Sequence, residues 1–226
     1  NLFYNSLLNG SNIKHLAIDE LLSYCYDIKK NKIYLISNYY SNGSLSQLIR
    51  SENILWNNTR KLINIYGIAS AMKYLHSNNI VHRDLKPINI FVDEYLFPKI
   101  SNFHFSKQIF SDVLFNDNTI KDTTVSYMAP EFIKDYTLFD FPSDVYSFGL
   151  TMFEIMTGKT PFEELKNLKI IEMVCDGKRP EFTVPIPDCY KMLIEKCWSQ
   201  EPSKRPTFDE IVSLLENDTN FIIDLQ

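Results

Sequence analysis

The sequence predicts an α+β fold in which a small amount of sheet precedes a mostly helical region that starts after residue 44. Two observations carry this prediction. Short β-prone runs bounded by turn residues occur early in the chain, and apolar residues at helical spacing dominate its later part. The chain has 226 residues, of which 45% are hydrophobic and 14% aromatic, so it can bury a substantial core.

Three short runs are predicted to form strands. KIYLIS (32–37) is a candidate for a buried strand, and the turn residues SNGS (41–44) end it. NIFV (89–92) and PKIS (98–101) are β-prone runs separated by DEYLF, so we expect them to pair as a hairpin.

Two long helices are predicted in the middle of the chain. The first covers about residues 59–77 and ends at the dipeptide Asn78-Asn79. Its apolar positions at helical spacing are Leu62, Ile65, Ala69, Met72 and Leu75. The second, DVYSFGLTMFEIM (144–156), is apolar on nearly every face, which indicates a helix buried on all sides. Gly158 and Pro161 end it.

Two further helices are predicted later in the chain. One carries an apolar stripe in which Trp198 is interpreted as a core residue rather than a binding residue. The stripe consists of Tyr190, Leu193, Ile194, Cys197 and Trp198. The last helix begins at Thr207, because Glu210 three residues later completes the pattern of a capping box.

Charge and composition argue against several classes of function. The net charge is -5 and the isoelectric point is near 5.4, whereas proteins that bind nucleic acid usually present a basic surface. No apolar run approaches the ~20 residues of a membrane span. The cysteines show no C-x-x-C spacing, so reduced, buried thiols are favoured over metal ligands or disulfides, which suits a cytoplasmic location. They are Cys25, Cys175, Cys189 and Cys197.

A cluster of polar residues, HRDLKPIN (82–89), lies between the first long helix and the predicted hairpin, in a loop held by rigid elements where catalytic groups are common. Three further segments follow: YMAPE (127–131), SDVYSFG (143–149) and CWSQEPSKRPTF (197–208). Together the four segments make the chain resemble the protein kinases, specifically the tyrosine-kinase-like (TKL) group of serine/threonine kinases. The resemblance extends from about residue 3 to residue 216.

The resemblance implies a bilobal protein-kinase fold with a truncated N-terminal lobe. Residues 1–40 would be the remnant of that lobe, with helix C, the fourth and fifth strands and the start of the hinge. Residues 41–226 would form the mainly helical C-terminal lobe. The chain starts at Asn1 rather than Met, so a segment of a longer protein is expected. The glycine-rich loop and the strand lysine of the family are not in this sequence.

The family activity is the transfer of phosphate from ATP, with Mg2+, to a protein hydroxyl, which depends on positioning and on spreading charge. By resemblance, Asp84 orients the substrate hydroxyl or accepts its proton, Lys86 neutralises the γ-phosphate, and Asn89 offers its amide oxygen to magnesium. Lys86 together with Thr124, four residues before Met128, is the serine/threonine-kinase pattern. The hydroxyls available for regulation on the activation segment are Thr119, Thr123 and Thr124, although Thr124 is expected to pack at the substrate loop. For each hydroxyl, a plain surface role is at least as well supported as a regulatory one.

Scaffold roles follow from the same resemblance. His82 and Arg83 are structural, with Arg83 placed to meet a phosphate or an acid on the activation segment. Asp144 anchors the backbone of the catalytic loop from the buried helix. Glu131 and Arg205 form the ion pair that ties the end of the activation segment to the C-terminal helices.

The nucleotide site is assigned in the same way. Ser37 fits the gatekeeper position, and Asn38, Tyr39 and Tyr40 follow it as the hinge. Phe91 would be the apolar platform under an adenine. The alternative for Ser37 is that it only ends a strand.

The metal motif departs from the family pattern. Asn102, Phe103 and His104 stand where kinases have Asp, Phe and Gly. Asn102 would therefore contact magnesium and nucleotide through a neutral amide, and the loss of one charge at contact distance is worth on the order of 4 kcal/mol. His104 costs about 1 to 2 kcal/mol if this position needs a positive φ; the alternative is that it only favours one ordinary conformation.

Two positions near the start of the chain also depart from the pattern. Ser6 takes the place of the glutamate that pairs with the ATP-contacting lysine. Gly10 takes the place of a bulky apolar residue that joins the regulatory stack of Leu21, His82 and Phe103.

Three hypotheses about function stay open. The substitutions favour a pseudokinase that binds a signalling partner, with or without nucleotide, and whose binding of ATP and Mg2+ is weakened or lost. The retained Asp84, Lys86, Asn89 and Thr124 favour a working serine/threonine kinase with a protein substrate. An unrelated binding module is the third alternative.

Overall fold

The computed structural model describes residues 13–51, 56–101, 107–108, 125–135, 138 and 140–222. Its strands are β1 (Leu21–Asp27), β2 (Lys32–Ser37), β3 (Ile80–Val81), β4 (Ile90–Val92), β5 (Pro98–Ile100) and β6 (Lys107–Gln108). Its helices are α1 (Leu45–Ile49), α2 (Asn58–Ser77), α3 (Pro130–Lys134), α4 (Phe141–Thr157), α5 (Asn167–Cys175), α6 (Asp188–Cys197) and α7 (Phe208–Asn217). The fold is therefore mostly helical after residue 44, as predicted.

The described strands pair as three small antiparallel sheets, β1 with β2, β3 with β6 and β4 with β5. The predicted hairpin of β4 and β5 is confirmed, with Ile90 opposite Ile100 and Val92 opposite Pro98. Both isoleucines are fully buried. This hairpin joins the core, and Ile18 adds a parallel bridge to Ile100.

The β1–β2 hairpin corrects one expectation. KIYLIS forms β2 as predicted, but the prediction that this strand is buried is wrong. The apolar side chains of Leu22, Tyr24, Tyr26, Tyr34, Leu35 and Ile36 are between 42% and 55% exposed. The two strands pack mainly on each other, and no other described helix or strand lies extensively against them. A β-prone apolar run predicts a strand but does not show what covers it.

The predicted helix of residues 59–77 is confirmed as α2 and lies in the core. The Asn57 side chain caps it by accepting a hydrogen bond from the Arg60 N–H at 3.0 Å. Its buried apolar residues are Ile65, Ile68, Ala69, Ala71, Met72 and Leu75.

The predicted all-round burial of the next long helix is also confirmed. Every residue of α4 from Ser143 to Met156 is buried. Asp140 caps its start by accepting from the Phe141 N–H at 2.7 Å, and Gly158 ends it with a φ of 74° in the left-handed region that favours glycine. Helix α4 packs on α6 and α2, so it is the central support of the domain.

The last two helices follow the sequence patterns. Trp198 is a core residue as predicted, since only 6% of it is exposed. At the start of α7 the Thr207 hydroxyl accepts from the Glu210 N–H and the Glu210 carboxylate accepts from the Thr207 N–H, at 3.2 and 2.7 Å. The predicted capping box is thus confirmed. The hydrogen bonds that Thr207 donates to the Glu210 carboxylate lower the pKa of Glu210.

The cysteines correct a second expectation in part. All four are free thiols, but only Cys197 is buried, whereas Cys175 and Cys189 are half-buried and Cys25 is exposed. Cys25 is exposed because it lies on the uncovered β1 strand. Burial raises the pKa of the Cys197 thiol.

Gly149 is required by the close approach of α4 and the end of α6. A Cβ at this position would lie 2.9 Å from the Cys197 Cβ and 3.3 Å from the Trp198 backbone nitrogen. We expect Gly149→Ala to lower the free energy of unfolding by about 1 to 3 kcal/mol, measured by urea denaturation. At Gly158 a Cβ meets nothing within 4 Å, so Gly158→Ala should cost only the left-handed strain of about 1 kcal/mol. A loss below about 1 kcal/mol in Gly149→Ala would contradict the packing argument.

Candidate active site

The catalytic loop (residues 82–89) follows β3 directly and leads into β4 through the 3-10 turn Pro87–Asn89. Its position is set by two buried elements, since β3 continues from helix α2 and the loop lies against helix α4 through Asp144. The polar side chains at 82, 84, 86 and 89 are all buried, namely those of His82, Asp84, Lys86 and Asn89. Buried polar groups need partners.

Asp144 is the residue of α4 that holds the backbone of the loop. Its Oδ2 accepts from the His82 N–H at 2.8 Å and its Oδ1 accepts from the Arg83 N–H at 2.9 Å. The His76 Nε2 lies 3.0 Å from Oδ2. Asp144 has no exposed surface. Its carboxylate therefore receives its hydrogen bonds from fixed protein groups on two elements instead of from water.

Arg83 adopts a strained backbone, with a φ of 74°. Such a conformation costs a non-glycine residue about 1 to 2 kcal/mol. The hydrogen bonds that the His82 and Arg83 N–H groups donate to Asp144 stabilise it. Burial lowers the pKa of the Arg83 guanidinium to about 10, although the nearby Asp144 acts in the opposite direction.

His82 is fully buried and its hydrogen bonds define its protonation. The Nε2 lies 3.0 Å from the Ser101 carbonyl oxygen, which can only accept, and Nδ1 accepts from the Asp84 N–H at 3.3 Å. The ring is therefore the neutral Nε2–H tautomer. Burial lowers the pKa of His82, against opposing effects of Asp144 and the Ser101 bond.

Asp84, Lys86 and Asn89 come together in one buried constellation. The Lys86 Nζ lies 2.8 Å from the Asp84 Oδ1. The Asn89 Nδ2 donates to the Asp84 Oδ2 at 2.7 Å and to the Asp84 carbonyl oxygen at 2.8 Å. The side-chain amide of Asn89 thus has its nitrogen toward Asp84 and its oxygen turned away from it. This arrangement places a carboxylate, a cation and the nitrogen of an amide next to one another.

The residues predicted for the nucleotide site lie around one open cavity of about 720 Å³. The cavity is lined by Ser37, Asn38, Tyr39, Tyr40 and Phe91 together with residues that the sequence did not indicate, among them Gly43, Gln47 and Leu48. The rings of Tyr40 and Phe91 are stacked, with centroids 5.7 Å apart and planes inclined by 20°. The cavity therefore has an aromatic wall made by the hinge and β4 together.

Asp19 is a buried carboxylate that the sequence analysis did not single out. It is 8% exposed, its Oδ1 accepts from the Tyr40 hydroxyl at 2.8 Å, and its Oδ2 accepts from the Ser101 hydroxyl at 3.0 Å. Burial, reinforced by the Asp19 bond, raises the pKa of the Tyr40 phenol. The one available signal was a pair of charged residues, Asp19 and Glu20, inside an otherwise apolar stretch, AIDELL.

Glu131 and Arg205 join helix α3 to the segment before α7. The Arg205 Nη1 lies 2.6 Å from the Glu131 Oε1 and its Nη2 lies 2.8 Å from Oε2, a bidentate pair. The guanidinium also covers the ring of Tyr146 at 5.0 Å from the centroid. Burial alone would raise the pKa of Glu131, but the bonds to Arg205 outweigh it and the pKa is lowered.

The remaining site predictions lie outside the described residues, and their roles stay predictions. They are Ser6, Gly10, Asn102, Phe103, His104, Thr119, Thr123 and Thr124. Leu21 is described at the start of β1 and is half-buried.

Comparison with known proteins decides the family. The profile of the family described as "Protein tyrosine and serine/threonine kinase" matches residues 3–215. This chain belongs to the protein kinase family. A protein of Acanthamoeba polyphaga mimivirus, named as a putative serine/threonine-protein kinase/receptor, is 37% identical to this chain. The match covers 91% of this chain and 12% of the length of that relative.

Two similar proteins come from Dictyostelium discoideum. A probable serine/threonine-protein kinase is 35% identical over 82% of this chain and 13% of its own length. The RGS domain-containing serine/threonine-protein kinase A is 37% identical over 83% of this chain and 16% of its own length. The kinase domain thus has serine/threonine-kinase homologues, and it spans less than a fifth of each of these relatives. No helix among the described residues is both long and apolar enough to cross a lipid bilayer.

Two residues of this kinase domain were predicted to hold Mg2+. Magnesium in proteins is bound through one or two carboxylates together with substrate phosphates. The two residues predicted from the resemblance to bind it are Asn89 and Asn102, which both carry neutral amides, and Asn102 lies outside the described residues. Within the described part of the chain, no group of three or more His, Cys, Asp or Glu side chains could hold a metal ion.

The protonation of His82 predicts how the stability of the kinase domain depends on pH. The folded state lowers the pKa of His82 below 6.5, so the unfolded state binds the proton more readily. Stability is therefore complete above pH 6.5 and falls as the pH drops toward the folded pKa, by up to about 1.4 kcal/mol per pH unit. A proton on Nδ1 would also face the Asp84 N–H group and break the hydrogen bond that Nδ1 accepts from it.

The measurement is urea unfolding of the parent and His82→Gln between pH 7.5 and 5.5. The variant should be less stable at pH 7.5 but lose less stability on acidification. Other titrating groups cancel in this difference. Equal losses in the two proteins would contradict the assignment to His82.

Proposed function

We propose that this kinase domain is a pseudokinase of the tyrosine-kinase-like serine/threonine group. It transfers phosphate from ATP to protein Ser or Thr weakly or not at all, and it acts as a scaffold for a signalling partner. The observation that carries the proposal is the donor set at the metal positions, where Asn89 and Asn102 supply two amide oxygens and no carboxylate. Ser6, Gly10 and His104 support it from the sequence.

The organisation that goes with this proposal is bilobal. Residues 1–40 belong to the N-terminal lobe and residues 41–226 to the C-terminal lobe. The domain works in the cytoplasm. The hinge segment from Ser37 to Tyr40 and the platform Phe91 hold the base of ATP, and the cavity they line supports this assignment.

An active serine/threonine kinase is the second candidate function, and one observation favours it. Asp84, Lys86 and Asn89 are buried together with distances of 2.7 and 2.8 Å between their polar atoms. In an active enzyme the Asp84 carboxylate orients the attacking hydroxyl and takes its proton, while Lys86 spreads the charge of the moving phosphoryl group. The names of the relatives indicate Ser or Thr as the acceptor.

Transfer of labelled phosphate from ATP to the domain itself and to a mixture of Ser- and Thr-containing peptides separates the two functions. Three proteins are compared: the parent, Asn102→Asp, and Asp84→Asn as the control without the catalytic carboxylate. We expect the parent to match Asp84→Asn and to gain nothing from added magnesium. Transfer by the parent above the Asp84→Asn level and as fast as that by Asn102→Asp would reject the pseudokinase and support the active enzyme. Transfer by Asn102→Asp alone would identify the lost carboxylate as the main defect.

A further inference from the structure

We propose that Asp19 is a positioning residue of the nucleotide cavity, whose buried carboxylate holds the Tyr40 ring against Phe91 and thereby gives the cavity its preference for a purine over a pyrimidine base. This inference rests on the proposed function, in which the cavity holds the base of a nucleotide. It names a residue that acts through Tyr40 rather than by touching the nucleotide.

The backbone fixes the position of Asp19. The Asp19 N–H donates to the Ile100 carbonyl oxygen at 2.7 Å, and the Ile100 N–H donates to the Ala17 carbonyl oxygen at 2.8 Å. These bonds attach the segment to β5, whose residues Pro98 and Ile100 are buried. The carboxylate of Asp19 therefore projects from a rigid frame, not from a mobile loop.

The partners of the carboxylate are two hydroxyl groups. Among the described residues, no Lys, Arg or His nitrogen forms an ion pair with Asp19. A buried carboxylate without its hydrogen bonds is costly, so the bonds from Tyr40 at 2.8 Å and Ser101 at 3.0 Å are strongly favoured. Each hydroxyl is thus held in place by the charge.

The Tyr40 ring is therefore held both through its hydroxyl group and through its face. Its hydroxyl is bound to Asp19, and its face is stacked on Phe91 at 5.7 Å. Both rings line the cavity. Stacking of a base on an aromatic surface grows with the overlapping area, so an aromatic wall that is held in one position favours the larger purine. A Tyr40 ring free to rotate would lose that selectivity.

The same carboxylate also contacts Ser101, the residue just before the predicted metal motif. Ser101 is the chain neighbour of Asn102, and its hydroxyl donates to Asp19 while its carbonyl oxygen accepts from His82. Asp19 therefore joins the hinge to the start of the segment that carries the altered metal motif.

The test measures the affinities for ATP and CTP by competition with a fluorescent methylanthraniloyl derivative of ATP, in EDTA so that no metal is needed. The readout is the ratio of the two dissociation constants, CTP over ATP. The variants are Asp19→Val, Asp19→Asn and Tyr40→Phe. Tyr66→Phe is the matched control, because the Tyr66 hydroxyl makes a comparable bond to the Glu216 carboxylate at 2.7 Å on the distant α2–α7 contact.

We expect Asp19→Val and Tyr40→Phe to lower the CTP/ATP ratio by about fivefold or more, since each removes a hydrogen bond to a charged group. Asp19→Asn, which keeps an acceptor for Tyr40, should stay within about twofold of the parent, and Tyr66→Phe should not change the ratio. Because Asp19→Val and Tyr40→Phe break the same contact, the double variant should lose little more than either alone.

An unchanged ratio in Asp19→Val or Tyr40→Phe would overturn the inference. If the affinities for both nucleotides fell equally and the Tm dropped as well, Asp19 would have a role in stability only. A parent domain that binds neither nucleotide would instead reject the nucleotide site of the proposed function.

Discussion

Asp144→Asn should lower the free energy of unfolding by about 3 kcal/mol, although it changes one atom of a side chain. The Asp144 carboxylate accepts from the His82 and Arg83 N–H groups at 2.8 and 2.9 Å and contacts His76 at 3.0 Å. An amide has one oxygen, so its NH2 group would face one of these backbone donors. The strained φ of 74° at Arg83 would lose its support.

Asp140→Asn is the matched control, since it makes the same change one turn earlier at the exposed N-cap of α4. Asn caps helices about as well as Asp, so a change within about 0.5 kcal/mol is expected. Urea denaturation gives both values. A loss below about 1 kcal/mol in Asp144→Asn would mean that the loop does not depend on this carboxylate.

Arg205→Met should lower the free energy of unfolding by about 3 to 5 kcal/mol, because it leaves the Glu131 carboxylate without its cation. The Arg205 side chain has 0% exposure and that of Glu131 has 17%. The guanidinium also donates to the Ser199 and Pro142 carbonyl oxygens at 2.9 Å. Removing Arg205 thus leaves four acceptor oxygens to be satisfied, two on Glu131 and one each on Ser199 and Pro142.

The neighbouring Lys204→Met provides the control, because it breaks an ion pair with Glu201 whose side chains are 64% and 62% exposed. Exposed pairs contribute little, so a change below about 1 kcal/mol is expected. Adding Glu131→Gln to Arg205→Met should recover part of the loss by removing the unpaired charge. Equal losses in Arg205→Met and Lys204→Met would contradict a buried structural pair.

The helices were predictable because their information is local. The apolar spacing of α2 and the all-round apolar surface of α4 directly reflect where each helix packs, and Thr207 with Glu210 forms a cap within one turn. The β1–β2 hairpin shows the limit of such patterns. Its apolar residues predicted burial, but burial depends on what packs against a strand, which the strand's own residues do not specify.

The catalytic loop was predictable for a related reason. Asp84, Lys86 and Asn89 lie within one short segment, and their contacts are set by the loop that contains them. Asp19 has partners 21 and 82 residues away in the chain, Tyr40 and Ser101. Hydroxyl groups carry no periodic pattern, so only the fold brings these three residues together.

The most direct test of the pseudokinase proposal is the Mg2+ dependence of nucleotide binding. It is measured as the shift in Tm on adding ATP to the parent and to Asn102→Asp, each with Mg2+ and with EDTA. Because an amide replaces a carboxylate at residue 102, we expect that Mg2+ does not enlarge the ATP-induced shift in Tm of the parent. In Asn102→Asp, Mg2+ should enlarge it. A parent domain that ATP stabilises only when Mg2+ is present would contradict the account.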